Sequence, residues 1–325
     1  MAVKAPMRLG VALARMAAAL PVMAACAASA PVAAQAIALT FDDLPATFAL
    51  PPGQTRVGVA SAIIAALKAA QVPGAYGFVN GARIEVADTA ALNARILPMW
   101  RAAGYALGSH TWSHQSLSSE GLAGFETEVS RVEPLLSQQM GEPGGGRWLR
   151  FPFLDEGNTP TLRAAARRFL AARGYHIASV TLSFADAAFN DPYARCRAKG
   201  DHAAVADLEN RFLRAADESL DNETRLSRSL FHRDIAYVLL LHFGAFDAHM
   251  LPRLLRHYAV RGVRFVTLRE AMRDPVYAAD IDLRQASDAP VSLEAVAAQR
   301  GIVPAPNIWA PYAPYPGGEL NGICR

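Results

Sequence analysis

Along most of its length the chain alternates short apolar runs with stretches of helical periodicity, and few folds accept that pattern. Ile37–Phe41, Ala75–Val79, Ala106–Ser109, Trp148–Arg150, His176–Val180, Tyr237–Leu241 and Arg264–Val266 read as buried strands. Helices are expected over Val57–Ala70, Ala90–Ala103, Ser119–Met140, Thr161–Arg173 and Ala248–Tyr258. Thr267-Leu268-Arg269-Glu270 is a capping-box start for one more. Strands separated by helices pair in parallel, because a crossover is needed to bring each strand back in the same direction. The expected class is α/β, with a parallel sheet either open or closed into a barrel. In such folds the C-terminal strand ends converge on the ligand. Polar residues collect there: Asp42 and Asp43 after the first strand, His110 after the third, and His242 at the end of a late one.

Two stretches stand outside the alternation. Residues 191–233 are polar and helix-prone, with alternating charges from Asp207 to Glu218, and read as an inserted helical excursion with a solvated face. Residues 274–325 are rich in proline and small residues, include the run Trp309-Ala310-Pro311-Tyr312, and are expected to wrap the domain as a C-terminal extension. Between them, residues 35–273 form the expected main domain. A hydrophobic fraction of 52% and a charged fraction of 19% are those of a globular chain.

Residues 1–34 read as an export signal. Lys4 and Arg8 form a basic start, an apolar run follows from about Met16 to Ala25, and small-x-small sites occur at Ala28-Ser29-Ala30 and Val32-Ala33-Ala34. The expected location is periplasmic or secreted. Met23-Ala24-Ala25-Cys26 weakly resembles a lipoprotein box without its usual leucine, which leaves lipid anchoring at Cys26 as a minor alternative. Lys4, Arg8 and Arg15 are the signal's only charges, so its removal takes the formal net charge from +3 to zero. No basic run with interleaved aromatics is present, which argues against nucleic-acid binding, and no protein partner is indicated. Apart from Cys26 the cysteines are Cys196 and Cys324, a distant pair that an oxidising compartment can close into a disulfide.

The chemistry rests on two words, Thr40-Phe41-Asp42-Asp43 and His110-Thr111-Trp112-Ser113-His114. Zinc and similar ions take two imidazoles and one carboxylate and leave positions open for water and substrate, and Asp43, His110 and His114 fit that count. Neighbours on an extended segment face apart, so of Asp42 and Asp43 one is expected to bind metal while the other handles protons. Each word alone is weak: paired aspartates usually cap a helix or turn, and two histidines four apart are usually unrelated. Their joint occurrence after strands carries the reading.

These motifs resemble those of the polysaccharide deacetylases with a NodB homology domain, carbohydrate esterase family four, over roughly residues 37–272. The resemblance implies a distorted (β/α) barrel of about seven strands, here with a helical insertion and a C-terminal wrapping tail. It implies one divalent metal ion, usually zinc, on Asp43, His110 and His114, with Asp42 as general base. Arg150-Phe151-Pro152-Phe153 is similar to the third motif, so Arg150 would orient Asp42 and the Phe153 N–H would hold the oxyanion. The usual Tyr-Gly of that motif is Phe153-Leu154 here. Ser183-Phe184-Ala185-Asp186-Ala187 is a degraded fourth motif, in which Asp186 would tune the catalytic histidine and Ala187 replaces a groove-lining tryptophan. Leu239-Leu240-Leu241-His242 is similar to the fifth, making His242 the general acid.

The implied function is removal of N-acetyl, or O-acetyl, groups from a polysaccharide or oligosaccharide. Ala187 keeps open an amidohydrolase acting on a small non-glycan amide. A non-catalytic carbohydrate-binding relic is opposed by the presence of both acid and base candidates. An iron oxygenase built on the same three ligands is opposed by the absence of jelly-roll patterning.

Overall fold

Seven strands carry the fold: β1 (Ala36–Leu44), β2 (Ala75–Val79), β3 (Ala106–Ser109), β4 (Arg147–Leu149), β5 (Tyr175–Ile177), β6 (Ala236–His242) and β7 (Arg264–Val266). They run in the order β5-β4-β3-β2-β1-β6 with every pairing parallel, and β7 also pairs β1. β7 takes the Ala36–Ala38 half of the β1 edge whose later half, from Leu39, pairs β2. This computed structural model describes residues 1–3, 35–45, 47–86, 89–137, 147–287, 289–302 and 320–325, and Ala34–Arg325 form one unit. Residues 4–34 of the expected export signal, Cys26 among them, and the Trp309–Tyr312 run lie outside the described residues. Among the described residues no helix is long and apolar enough to cross a membrane.

The sheet curls into the expected distorted barrel. The strand expected over His176–Val180 stops at Ile177, because the chain then leaves β4 and crosses to β6. There Thr181 N–H donates to the Val238 carbonyl and Leu182 bridges Leu239. One extended stretch therefore touches both edges of the sheet.

Strand alternation decides what faces the barrel interior. On β1, Ile37, Leu39 and Phe41 pack outward with the helices in the main apolar cluster, joined by Tyr237, Leu239 and Leu241 of β6. Ala38 and Val238 face the other way, into a second cluster with Phe78 and Trp148. The same inner columns continue to Thr40 and Asp42 on β1 and to Leu240 and His242 on β6. The interior leaves no room for a side chain at Gly108, where a Cβ would lie 2.6 Å from the Phe78 ring and 2.8 Å from the Trp148 carbonyl.

The helices follow the sequence closely where capping is clear. Arg56–Ala69 starts at Thr55, whose hydroxyl accepts from Gly58 N–H, and Pro160–Ala172 starts at Thr159 with proline in the first turn. Thr267 caps its short helix as expected, but the Glu270 carboxylate pairs Arg264. The helix expected over Ala90–Ala103 is two, Ala90–Asn93 and Ile96–Ala102. Buried Asn93 turns its amide back to the Arg83 carbonyl and ties down the break. The helix expected from Ser119 begins at Leu117 and runs to Leu136, interrupted at Gly121 with φ 69°. The polar excursion forms Asn190–Lys199 and the 30-residue helix His202–Phe231. The latter buries Leu208, Phe212 and Leu220 in the main core and leaves its other face to solvent. Cys196 and Cys324 form a disulfide that ties the described end of the chain to this region.

Candidate metal centre and active site

The site sits at the C-terminal ends of β1, β6, β3 and β4. Asp42 and His242 are register partners on adjacent strands, so the inner columns of β1 and β6 end side by side in a carboxylate and an imidazole. His110 follows β3, its N–H donating to the Val79 carbonyl, and Arg150 follows β4, its N–H donating to the Ser109 carbonyl.

The two aspartates do not face apart, contrary to the expectation from strand alternation. Asp43 has φ 64°, and the β1–β2 register slips between Phe41 and Leu44. This bulge turns both carboxylates toward His110, whose Nε2 lies 3.7 Å from Asp42 Oδ2 and 3.8 Å from Asp43 Oδ1. Left-handed backbone recurs around the site at Thr111, His114, Phe153, Leu154 and Ala185. For β-branched Thr111 this is a genuine outlier, and such conformations persist where the surroundings over-determine them.

Asp43, His110 and His114 each offer a ligand atom within 4.8 Å of the others. His114 Nε2 is 3.4 Å from Asp43 Oδ1. Two bonds of about 2.0–2.2 Å at a tetrahedral angle would separate their ligand atoms by about 3.3–3.6 Å, so the carboxylate–imidazole spacings are close to those a zinc-sized ion needs. The donor set fits as well. His110 Nδ1 lies 2.8 Å from the Arg150 carbonyl, which can only accept, so the proton sits on Nδ1 and the Nε2 lone pair faces the aspartates. Burial, aided by His114, pushes the His110 pKa down to about 3, which keeps the ring neutral as a ligand must be. Asn80 donates to the His110 carbonyl, and Ser113 N–H donates to Glu128, fixing the loop between the two histidines through backbone.

Asp42 and His242 are each held by a buried partner. Arg150 Nη1 donates to Asp42 Oδ1 and Oδ2 at 3.1 and 3.2 Å, its Nη2 donates to Thr40 Oγ1, and its Nε donates to the Ala178 carbonyl. Burial raises the Asp42 pKa, opposed by the charges of Arg150 and His242, which makes it more basic than an ordinary aspartate. Asp186, fully buried, accepts from His242 N–H at 2.6 Å and from Nδ1–H at 3.1 Å. Burial alone would lower the His242 pKa, but the Asp186 carboxylate, with Asp43 and Asp42 behind it, pushes it up to about 10.

Residues 29–188 match the family profile described as polysaccharide deacetylase. Over these residues the chain is similar to the polysaccharide deacetylase family. The match takes in Asp42, Asp43, His110, His114, Arg150, Phe153 and Asp186 and stops short of His242. No curated protein matches the chain. Among solved structures it resembles the chitin deacetylase of Colletotrichum lindemuthianum, at 23% identity over 73% of this chain and 87% of that one with a TM-score of 0.48. It also resembles the catalytic domain of peptidoglycan N-acetylglucosamine deacetylase from Eubacterium rectale, at 17% identity over 74% and 93% with a TM-score of 0.49. A family-four pseudoenzyme from Bacillus anthracis resembles it at 14% identity over 74% and 66%, with a TM-score of 0.48.

Set against the deacetylase motifs, Phe153 is 67% exposed and presents its ring edge-on to His114 with centroids 4.5 Å apart. Its left-handed φ of 56° sits in the tight turn Pro152–Leu154. Ala187 is buried, with no aromatic ring at that position. Another aromatic stands near His242: Phe48, from the loop after β1, lies edge-on to its ring at 5.8 Å. Sequence reading did not single out Phe48, nor Asn80, Glu128, Asn190 and Asp247, which brace the site from outside the motifs. Asp247, in the first turn of the helix Ala245–Val260, has the sequence signal of an ordinary helix-start acid.

Proposed function

We propose that this protein is a metal-dependent hydrolase that removes N-acetyl groups, and O-acetyl groups by the same route, from an exported polysaccharide or oligosaccharide. One observation carries the reading: a two-imidazole, one-carboxylate cluster lies against an Arg150-held carboxylate, and an Asp186-held imidazole stands beside that carboxylate on the adjacent strand. A base and an acid at one electrophile site are what amide hydrolysis requires, since water must lose a proton and the amine must gain one.

Asp43, His110 and His114 would hold the ion. When bound, a divalent cation there supplies a Lewis acid for the acetyl carbonyl and makes water a nucleophile at neutral pH. Asp42, made more basic by burial, takes the proton from the attacking water while Arg150 keeps its carboxylate in one orientation. The Phe153 N–H faces the developing oxyanion as a donor. His242 arrives protonated, because Asp186 holds Nδ1–H, and passes its Nε2 proton to the leaving nitrogen. The Cys196–Cys324 bridge supports an exported location, since disulfides persist in oxidising compartments.

The test is acetate release by the zinc-loaded protein from N-acetylglucosamine oligomers, peptidoglycan, acetylated xylan and simple acetamides, beside Asp42→Asn. Release from a glycan that disappears in the variant supports the reading and identifies the substrate class. Release from simple acetamides alone moves the assignment to a small-amide hydrolase, to which the lack of an aromatic at Ala187 is suited. No release from any substrate by protein that binds zinc overturns the enzymatic reading.

A further inference from the structure

Behind the Asp186–His242 pair lies a third carboxyl group that the mechanism does not use. Asp247 is 2% exposed and Asp186 is 0% exposed, and their carboxyl groups are close enough for one to donate to the other. Two carboxylates cannot share a hydrogen bond unless one carries a proton. The proton can be located. Asn190 Oδ1 accepts from Phe246 N–H at 2.8 Å, which turns its amide nitrogen toward Asp247 Oδ2, 2.7 Å away. Asp247 Oδ2 is therefore an acceptor. No N–H or other donor among the described residues reaches the buried Oδ1, which as an acceptor would be unsatisfied. As a hydroxyl it becomes a donor, and Asp186 is the acceptor beside it. The clamp around this pair is tight: a Cβ at Gly244 would lie 2.1 Å from Asn190 Oδ1.

We propose that Asp247 is a neutral carboxylic acid that donates its proton to Asp186, and that it is a positioning residue for the His242 acid. The proposal rests on the deacetylase reading only for what His242 does. By satisfying Asp186 from behind, Asp247 fixes the carboxylate plane that faces Nδ1 without adding a second negative charge. The charged and titratable groups facing Asp247 are Asp186 and His242, and those facing His242 are Asp186, Asp43 and Asp42. Burial and the Asp186 charge both raise the Asp247 pKa well above an ordinary carboxyl, in keeping with that geometry.

The experiment compares Asp247→Asn with Asp247→Ala in the full chain, reading the His242 imidazole by nitrogen-detected NMR titration of metal-free protein and kcat of zinc-loaded protein. Asparagine reproduces a neutral group with one donor and one acceptor. The expected result is a His242 pKa within about 0.3 of wild type in Asp247→Asn, where the charge does not change. Asp247→Ala should raise that pKa, because Asp186 loses a donor, and should lower kcat by about 10-fold, with most of the loss rescued in Asp247→Asn. A fall of about one unit or more in Asp247→Asn would mean that wild-type Asp247 is ionised and would overturn the proposal. Equal behaviour of the two variants would overturn it as well. Should Asp247→Ala fail to fold, the asparagine titration alone decides. Because the titration needs no substrate, its outcome is independent of whether the deacetylase reading holds.

Discussion

The protein buries two clusters of charge, and they are built on opposite principles. In the site, Asp42, Asp43, His110 and His114 crowd together with Arg150 as the buried cation beside them. Away from the site, Arg163 pairs Glu156 at 2.8 Å and Arg167 pairs Asp280 at 2.9 Å. This second cluster balances two cations against two carboxylates and has further hydrogen bonds. Ser179 donates to Asp280, and Arg163 donates to the Ser287 and Ala289 carbonyls. It fastens the C-terminal extension to the sheet. Matched charge serves attachment, whereas carboxylates gathered around imidazoles leave a place for a cation. The two also meet, since Ser179 follows Ala178, whose carbonyl accepts from Arg150.

Substitution in the two clusters should separate chemistry from stability. Asp42→Asn keeps the shape and an acceptor for Arg150. It is expected to lower kcat by about 10²–10⁴ while thermal unfolding stays close to that of wild type. Asp280→Ala leaves the Arg167 guanidinium buried without its carboxylate, at a cost of about 3–5 kcal/mol in urea unfolding, with kcat per folded molecule changed only a few-fold. If Asp280→Ala removed activity without lowering stability, the attachment cluster would belong to the site.

The difference also explains what was legible in the sequence. Asp42, Asp43, His110 and His114 announce themselves because each motif is local and follows a strand. His242 and Asp186 are each single residues, readable only through the family resemblance. The attachment cluster leaves no local trace: Arg167 and Asp280 are 113 positions apart, and nothing near either asks for the other. The strands of β2, β3 and β7 were read to the residue because their apolar runs end at polar or glycine boundaries. The opposed aspartates and the strand expected over His176–Val180 were misread for one reason. Both expectations extended regular geometry through places where the backbone departs from it, at the bulge beyond Asp42 and at the crossover beyond Ile177.

The disulfide is a third fastening, covalent where the Asp280 cluster is ionic. It closes a loop of 128 residues between Cys196 and Cys324. Its reduction is expected to cost about 2–4 kcal/mol, less than the loss of Asp280. Urea unfolding of Cys324→Ser with and without reductant measures this, and a variant as stable as wild type would assign the fastening of the tail to the ionic cluster alone.

His242 makes the site cluster pH-sensitive in a definite direction. Its pKa rises from 6.5 to about 10 on folding, so the folded state holds a proton that the unfolded chain releases. The stabilisation is fully present below about pH 6.5 and is lost as pH rises through about 10. The stability of metal-free wild type over His242→Gln should shrink across that window, and a difference that grew with pH would reverse the assignment.

The smallest effect is expected at a third set of charges, on the surface between the long helix and Ala245–Val260. His249 and Arg253 pair Glu209, while His257 and Arg261 pair Asp217. The spacing resembles that of a buried network, yet these side chains are about a fifth to two-fifths exposed. Water already solvates each ion, so pairing adds little, and salt screens what it adds. Asp217→Ala is expected to cost about 1 kcal/mol or less, and less again in high salt. The helices are held instead by Leu208, Phe212, Phe246 and Leu254 packing between them, all at most 1% exposed. A loss above about 2 kcal/mol that persists in high salt would show that charge, and not apolar burial, fixes the inserted helix to the barrel.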